Sequence, residues 1–164
     1  MKIISTILLL ILAGAAQAQP SAREIVEKLQ PQITPRGISV QGGRERPSAP
    51  PSIDLAVNFE YASAVLSPDA KIVLDNLGQA LNDTSLVNAR IRIAGHTDAA
   101  GGEAYNLDLS RRRAQAVADY LIRQHGILPA RLSVEGYGRT RLLDQANPMS
   151  SVNRRVEVVN LGGS

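Results

Sequence analysis

Residues 89–126 read ARIRIAGHTDAAGGEAYNLDLSRRRAQAVADYLIRQHG. Ala89, Ile91 and Ile93 alternate with Arg90 and Arg92, the two-residue period of a strand with one buried face. The strand ends at Gly95, and small residues carry the chain to Gly102. From about Glu103 to Gln124 apolar residues recur at helical spacing, and His125-Gly126 supplies a glycine stop. A strand, a loop and a long amphipathic helix in that order form one unit of an α/β domain.

The flanking sequence extends this unit. Ile53, Leu55, Val57 and Phe59 alternate with Asp54, Ala56 and Asn58, which predicts a first strand over 53–59. Ser67-Pro68 is a hydroxyl cap followed by proline at the first helical position. Ala70, Val73, Leu74, Leu77 and Leu81 form the core stripe of that helix. Leu132 and Val134 alternate with Ser133 and Glu135, and Val156 and Val158 with Arg155 and Glu157. The order β-α-β-α-β-β predicts an α/β two-layer sandwich over residues 53–160, with helices packed on one face of a mixed sheet. Residues 161–164 form a C-terminal tail.

The N-terminus reads as an export signal. Lys2 precedes an apolar run from Ile3 to Ala13, and Ala16-Gln17-Ala18 is an A-x-A cleavage site. A spanning helix needs about 20 apolar residues, so residues 1–18 are expected to be a cleaved signal peptide, leaving no transmembrane segment in the mature chain. Residues 19–35 hold a short helix opened by the capping box Ser21-x-x-Glu24, with Ile25, Val26 and Leu29 on one stripe. Residues 36–52, with three glycines and three prolines, read as a linker.

Composition narrows function. The 164 residues carry 18 Lys+Arg against 15 Asp+Glu, a formal charge of +3. Such a small excess, with one Phe, four Tyr and no Trp, does not suit a nucleic-acid stacking platform. The chain has no Cys, which excludes disulfides, thiolate metal sites, a Cys nucleophile and a lipid-modified Cys. His96 and His125 are the only histidines, and they assemble no catalytic set. His96-x-Asp98 has no clustered third ligand, so no metal or other cofactor is expected. Gly136 and Gly138 are expected to permit a tight turn.

The informative residues break the packing pattern. On the long helix, Leu109, Ser110, Ala114, Val117, Tyr120 and Leu121 fall in one sector about 140° wide, and Arg113 falls inside it. A guanidinium there is costly unless paired, or snorkels to solvent. Without a ligand it is a burden, so its removal is expected to be neutral or stabilising unless it pairs with Asp98. Arg154 shares strand parity with Val156 and Val158, so it points toward their face, or else reaches water from the strand end. Asp98 lies in the loop after a strand, where α/β sheets place ligands, or else it caps the following helix. Asn106 precedes Arg113 by two helical turns, on the same face. Together Asp98, Arg113 and Arg154 suit a zwitterion, with an ammonium on the carboxylate and a carboxylate on the two guanidiniums.

These residues also carry a resemblance. Ile93 to Asp98 (IAGHTD), Gly101, Tyr105-Asn106, Leu109-Ser110, Arg113-Ala114, Val117, Tyr120-Leu121, Arg131, Gly136-Tyr137-Gly138 and Asn153 to Glu157 (NRRVE) resemble the OmpA-like C-terminal domain. That domain also occurs in peptidoglycan-associated lipoproteins and flagellar stators. The resemblance implies a non-catalytic module that grips diaminopimelate in the stem peptide of peptidoglycan. It implies Asp98, Arg113, Asn106 and Arg154 as ligand residues, with Thr97 and Leu109 beside them. It also implies a periplasmic, wall-associated protein that anchors an envelope protein or complex, with or without contact to the outer membrane. Two rivals stay open. One is a cell-wall hydrolase using Asp98 or Glu103, although glycoside hydrolysis needs a second carboxylate. The other is an envelope assembly protein whose partner meets residues 19–35.

Overall fold

The structure, a computed structural model, describes residues 19–31 and 49–163. The expected signal peptide and residues 36–48 of the expected linker lie outside the described residues. The elements run α1 (Ala22–Leu29), β1 (Ser52–Leu55), α2 (Pro68–Leu81), β2 (Ile91–His96), α3 (Glu103–His125), β3 (Leu132–Gly138) and β4 (Val156–Asn160). Short 3-10 turns at Pro129–Arg131 and Ser151–Asn153 lead into the last two strands. Among the described residues no helix is long and apolar enough to cross a membrane.

The sheet order is β1-β4-β2-β3. β4 is antiparallel to both β1 and β2, and β2 is parallel to β3, so the sheet is mixed, as the pattern predicts. Leu55, Ile91, Ile93, Val156 and Val158 bury one sheet face. Against them pack Val73, Leu74, Leu77 and Leu81 of α2 and Ala114, Val117 and Leu121 of α3. The local signals operate as read. Ser67 accepts the amide of Ala70 at the start of α2, and Gly126 ends α3 with a left-handed φ of 66°.

Eight residues are too few for a stable isolated helix, and α1 gains its order by docking. Both capping-box bonds of Ser21 and Glu24 form. Ile25 and Leu29 are fully buried in the core shared with α2 and β1. The side-chain amides of Asn160 and Asn76 donate to the carbonyls of Leu29 and Pro20 at 2.8 and 3.0 Å. The apolar side of α1 therefore faces its own domain, and a second protein meeting this helix would meet its polar side.

Three expectations need correction. The first strand stops at Leu55 instead of Phe59, because its partner strand begins at Val156, opposite Leu55. Without a partner, residues 56–66 form a loop pinned by a bridge between Phe59 and Leu66. The strand predicted from Ala89 begins at Ile91, where pairing with Leu132 and Asn160 starts. Gly136 serves close approach and makes no turn. A Cβ on Gly136 would lie 2.6 Å from the Arg111 amide nitrogen, and one on Gly95 would lie 2.1 Å from the Ser110 carbonyl oxygen. These two bare positions let the first half of α3 press onto the ends of β2 and β3. Gly138, with φ of 53°, does turn the chain.

Arg131 has a scaffold role. Its guanidinium donates to the carbonyls of Ala89, Leu81 and Leu86 at 3.1, 2.9 and 2.8 Å. It thereby ties the end of α2 to the entry of β2.

Candidate functional site

β2 delivers its last residues, His96 and then Thr97 and Asp98, to the edge of a cleft facing the first half of α3. The loop after β2 is fixed by backbone bonds from outside it. The Thr97 amide donates to Gly138, and that of Ala99 to Pro148, both at 2.9 Å. Pro148 is itself held by the buried Asn153. The Asn153 side-chain amide donates to the carbonyls of Asp144, Asn147 and Pro148, and its oxygen accepts the Asp144 amide. Loop 139–152 thus braces Asp98 from behind.

The cleft, of about 550 Å³, is lined by Thr97, Asp98, Asn106, Leu109, Arg113 and Arg154. All six residues singled out in the sequence meet there. Asp98 does not cap α3, whose N-cap is Gly102 with no side-chain bond. One Asp98 oxygen accepts the Ala100 amide at 3.1 Å and the other accepts Arg154 Nη1 at 2.8 Å. Asn106 is buried and donates to the Ala100 carbonyl at 2.8 Å. The Thr97 hydroxyl is buried with no hydrogen-bond partner among the described residues. A buried unpaired hydroxyl carries a desolvation cost that a ligand can relieve.

Arg113 does not snorkel freely. Its Nε donates to the Ser63 carbonyl at 2.9 Å, and its guanidinium stacks on Phe59 at 4.8 Å from the ring centre. Burial pulls its pKa below the usual value, yet a guanidinium stays charged. Arg113 and Arg154 hold different partners. Arg113 holds the 56–66 loop through Ser63, and Arg154 holds Asp98.

Several cleft residues escaped the sequence. Phe59, Glu60, Tyr61 and Ala62 come from the loop that replaces the second half of the expected strand, and Tyr105 from the first turn of α3. Only the non-glycine φ of 49° at Ala62 and the fully exposed Tyr61 ring mark that loop as unusual, and neither is visible in sequence.

A family model for the OmpA family matches residues 58–155, more than half of the chain. The chain belongs to the OmpA family. Relatives include the peptidoglycan-associated lipoprotein of Pseudomonas aeruginosa, 39% identical over 102 residues that cover 61% of this chain and 58% of that protein. Outer membrane porin F of Pseudomonas fluorescens is 36% identical over 107 residues, 64% of this chain and 32% of the porin. This OmpA-family chain thus matches less than two thirds of the length of either. Among solved structures, the cell wall anchor of the T6SS from Pseudomonas aeruginosa superposes with a TM-score of 0.55 at 25% identity, covering 69% of this chain and 81% of that one. The peptidoglycan-associated lipoprotein from Burkholderia pseudomallei gives 0.53 at 29%, covering 63% and 87%.

In this OmpA-family domain His96 is buried next to the cleft. It lies 3.5 Å from Glu157 and tilts against Tyr137 with ring centres 5.4 Å apart. Burial, reinforced by the nearby Arg155 charge, pushes its pKa down from 6.5 to about 4. The unfolded chain therefore binds an extra proton between those values. The resulting stability is fully present above pH 6.5 and is lost as pH falls through about 4. One proton gives a slope of at most about 1.4 kcal/mol per pH unit. The melting temperature of the wild type is expected to fall more between pH 7 and 4.5 than that of His96→Gln. Parallel profiles would overturn the assignment.

Proposed function

We propose that this domain binds peptidoglycan non-covalently, through the diaminopimelate of the stem peptide, and anchors an envelope protein or complex to the wall. The observation that carries this reading is that Asp98 and Thr97, from the loop after β2, and Arg113, from α3, line one cleft. A free zwitterion matches that arrangement. Its ammonium meets Asp98, which keeps acceptor capacity beyond the Ala100 and Arg154 bonds. Its carboxylate meets the guanidinium N–H groups of Arg113 that Ser63 leaves free, in the bidentate geometry that guanidinium favours. The names of two relatives, a peptidoglycan-associated lipoprotein and a cell wall anchor, fit this reading. The domain is read as a binder with no catalytic role, in keeping with the names of the peptidoglycan-associated lipoprotein and the cell wall anchor among its relatives.

Calorimetry with muropeptides tests the mechanism. Amidating the carboxylate on the free end of the diamino acid is expected to weaken binding by about 1.5–3 kcal/mol, the worth of a hydrogen bond to a charged group. Equal affinity for the amidated and free forms overturns it. Wall sacculi are expected to co-sediment with the protein and release no soluble fragments, whereas released fragments would favour the hydrolase. We also propose export to the periplasm with residues 1–18 removed. The intact mass of the exported protein is expected to begin at Gln19, and a mass retaining residues 1–18 sinks the cleavage claim.

A further inference from the structure

We propose that a second cavity, lined in part by Arg113 and Arg154, is a second subsite, which takes a carboxylate carried on a small apolar residue of the same ligand. This rests on the peptidoglycan reading of the first cleft and extends it along the peptide.

The second cavity, of about 340 Å³, shares Phe59, Arg113 and Arg154 with the first. Sharing these three side chains, the cavities adjoin, so one ligand can reach into both. The charge inventories differ. Glu60 and Asp98 balance the two arginines in the first cleft, which suits a ligand end of zero net charge. The second cavity has no acidic side chain in its lining, and of its two arginines Arg154 is ion-paired to Asp98 while Arg113 has no ion pair among the described residues, so Arg113 can attract an anion there. Each guanidinium carries five N–H donors. Among the described residues Arg113 uses its Nε on Ser63, and Arg154 uses Nη1 on Asp98, which leaves donors for a second acceptor. The remaining walls are small. Ala56, Val57 and Val152 supply apolar contact, and the exposed Asn58 and Ser151 supply neutral polar groups. A C-terminal carboxylate on an alanine-sized residue next to the diamino acid fits both the charge and the volume.

The test uses the full chain and calorimetry with three ligands. They are diaminopimelate itself, a stem peptide in which an alanine with a free carboxylate follows the diamino acid, and the same peptide as its C-terminal amide. The wild type is expected to prefer the carboxylate peptide over the amide by about tenfold, one charged hydrogen bond. Asn58→Asp and Ser151→Asp each place an acid in the cavity at an exposed position. Both are expected to erase that preference while keeping diaminopimelate affinity within about threefold, since an added charge near water acts weakly. Equal binding of the two peptides by the wild type overturns the subsite. So does a variant that weakens diaminopimelate as much as the carboxylate peptide. If the wild type fails to bind diaminopimelate, the reading of the first cleft is overturned on its own, and the carboxylate-to-amide ratio still decides the second cavity.

Discussion

Arg113→Ala is expected to abolish sacculus binding while the domain stays folded. Truncating one partner of a desolvated, hydrogen-bonded charge pair typically costs about 2–5 kcal/mol of binding, enough to empty a pull-down. Asp98→Ala is expected to do the same, and it also releases Arg154 from its 2.8 Å bond. Arg112→Ala is the control on the same helix. Its Nε pairs with Asp108 at 2.8 Å on the exposed side, a contact worth about 0.3–0.5 kcal/mol. The fold is expected to register the loss of Arg113 as well. Sequence reasoning makes the unliganded guanidinium a burden, but the structure gives it the Ser63 carbonyl and the face of Phe59. Removing both contacts is expected to cost about 1–2 kcal/mol. Sacculus pull-down and thermal melting of the three variants separate the effects. Equal binding by Arg113→Ala and Arg112→Ala would remove Arg113 from the site. If Arg113→Ala melts below the assay temperature, Arg113→Lys keeps the charge without the planar fork and is expected to bind weakly.

Gly95→Ala is expected to be the most damaging single-methyl change in the domain. The added Cβ would sit 2.1 Å from the Ser110 carbonyl oxygen and 2.8 Å from the Ser110 carbonyl carbon. Both atoms belong to the helix backbone, so no side chain can swing away. Relief requires α3 to lift off β2, which breaks the bond from the Gly138 amide to the Ser110 hydroxyl at 2.9 Å. It also displaces Asn106, Leu109 and Arg113 together. Overpacking that moves backbone costs about 3 kcal/mol or more, and binding is expected to weaken in parallel. Gly102→Ala is the matched control. A Cβ there meets nothing within 4 Å, and the N-cap preference changes stability by less than about 1 kcal/mol. Urea unfolding midpoints read both. Similar midpoints for the two variants would mean that the helix is not seated on Gly95.

What could be read from the chain was whatever a local period or a broken period encodes. Ser67-Pro68 and Gly126 mark helix ends because caps act within one turn. Arg113 stands out because a charge in an apolar sector needs a reason. The second half of the expected first strand failed because alternation at Val57 and Phe59 reports burial, whereas a strand also needs a partner, and β4 begins only at Val156. The bond between Asp98 and Arg154 joins residues 56 apart in sequence, and no local pattern encodes it. The same holds for Asn153, whose motif drew notice but whose grip on the 144–148 loop depends on how that loop folds back. Gly136 could be misjudged because a glycine needed for its φ and one needed for its missing Cβ look alike in sequence.

The placement of the chain ends has a mechanical consequence. Asp98 lies beyond the C-terminal end of β2, whereas Pro51, just before β1, accepts the Asn160 amide at the opposite pole of the sheet. Once α1 is pulled off the core, a tug between a ligand held at Asp98 and the chain entering at Pro51 runs lengthwise along the strands. β1 and β4 pair antiparallel from Ser52–Val159 to Leu55–Val156, so this load drags one strand past the other. Their hydrogen bonds lie perpendicular to the strands and must fail together under shear, whereas a sideways pull would peel them one at a time. The route of the backbone therefore gives the domain its greatest tensile strength along the line that joins the candidate cleft to its leading strand.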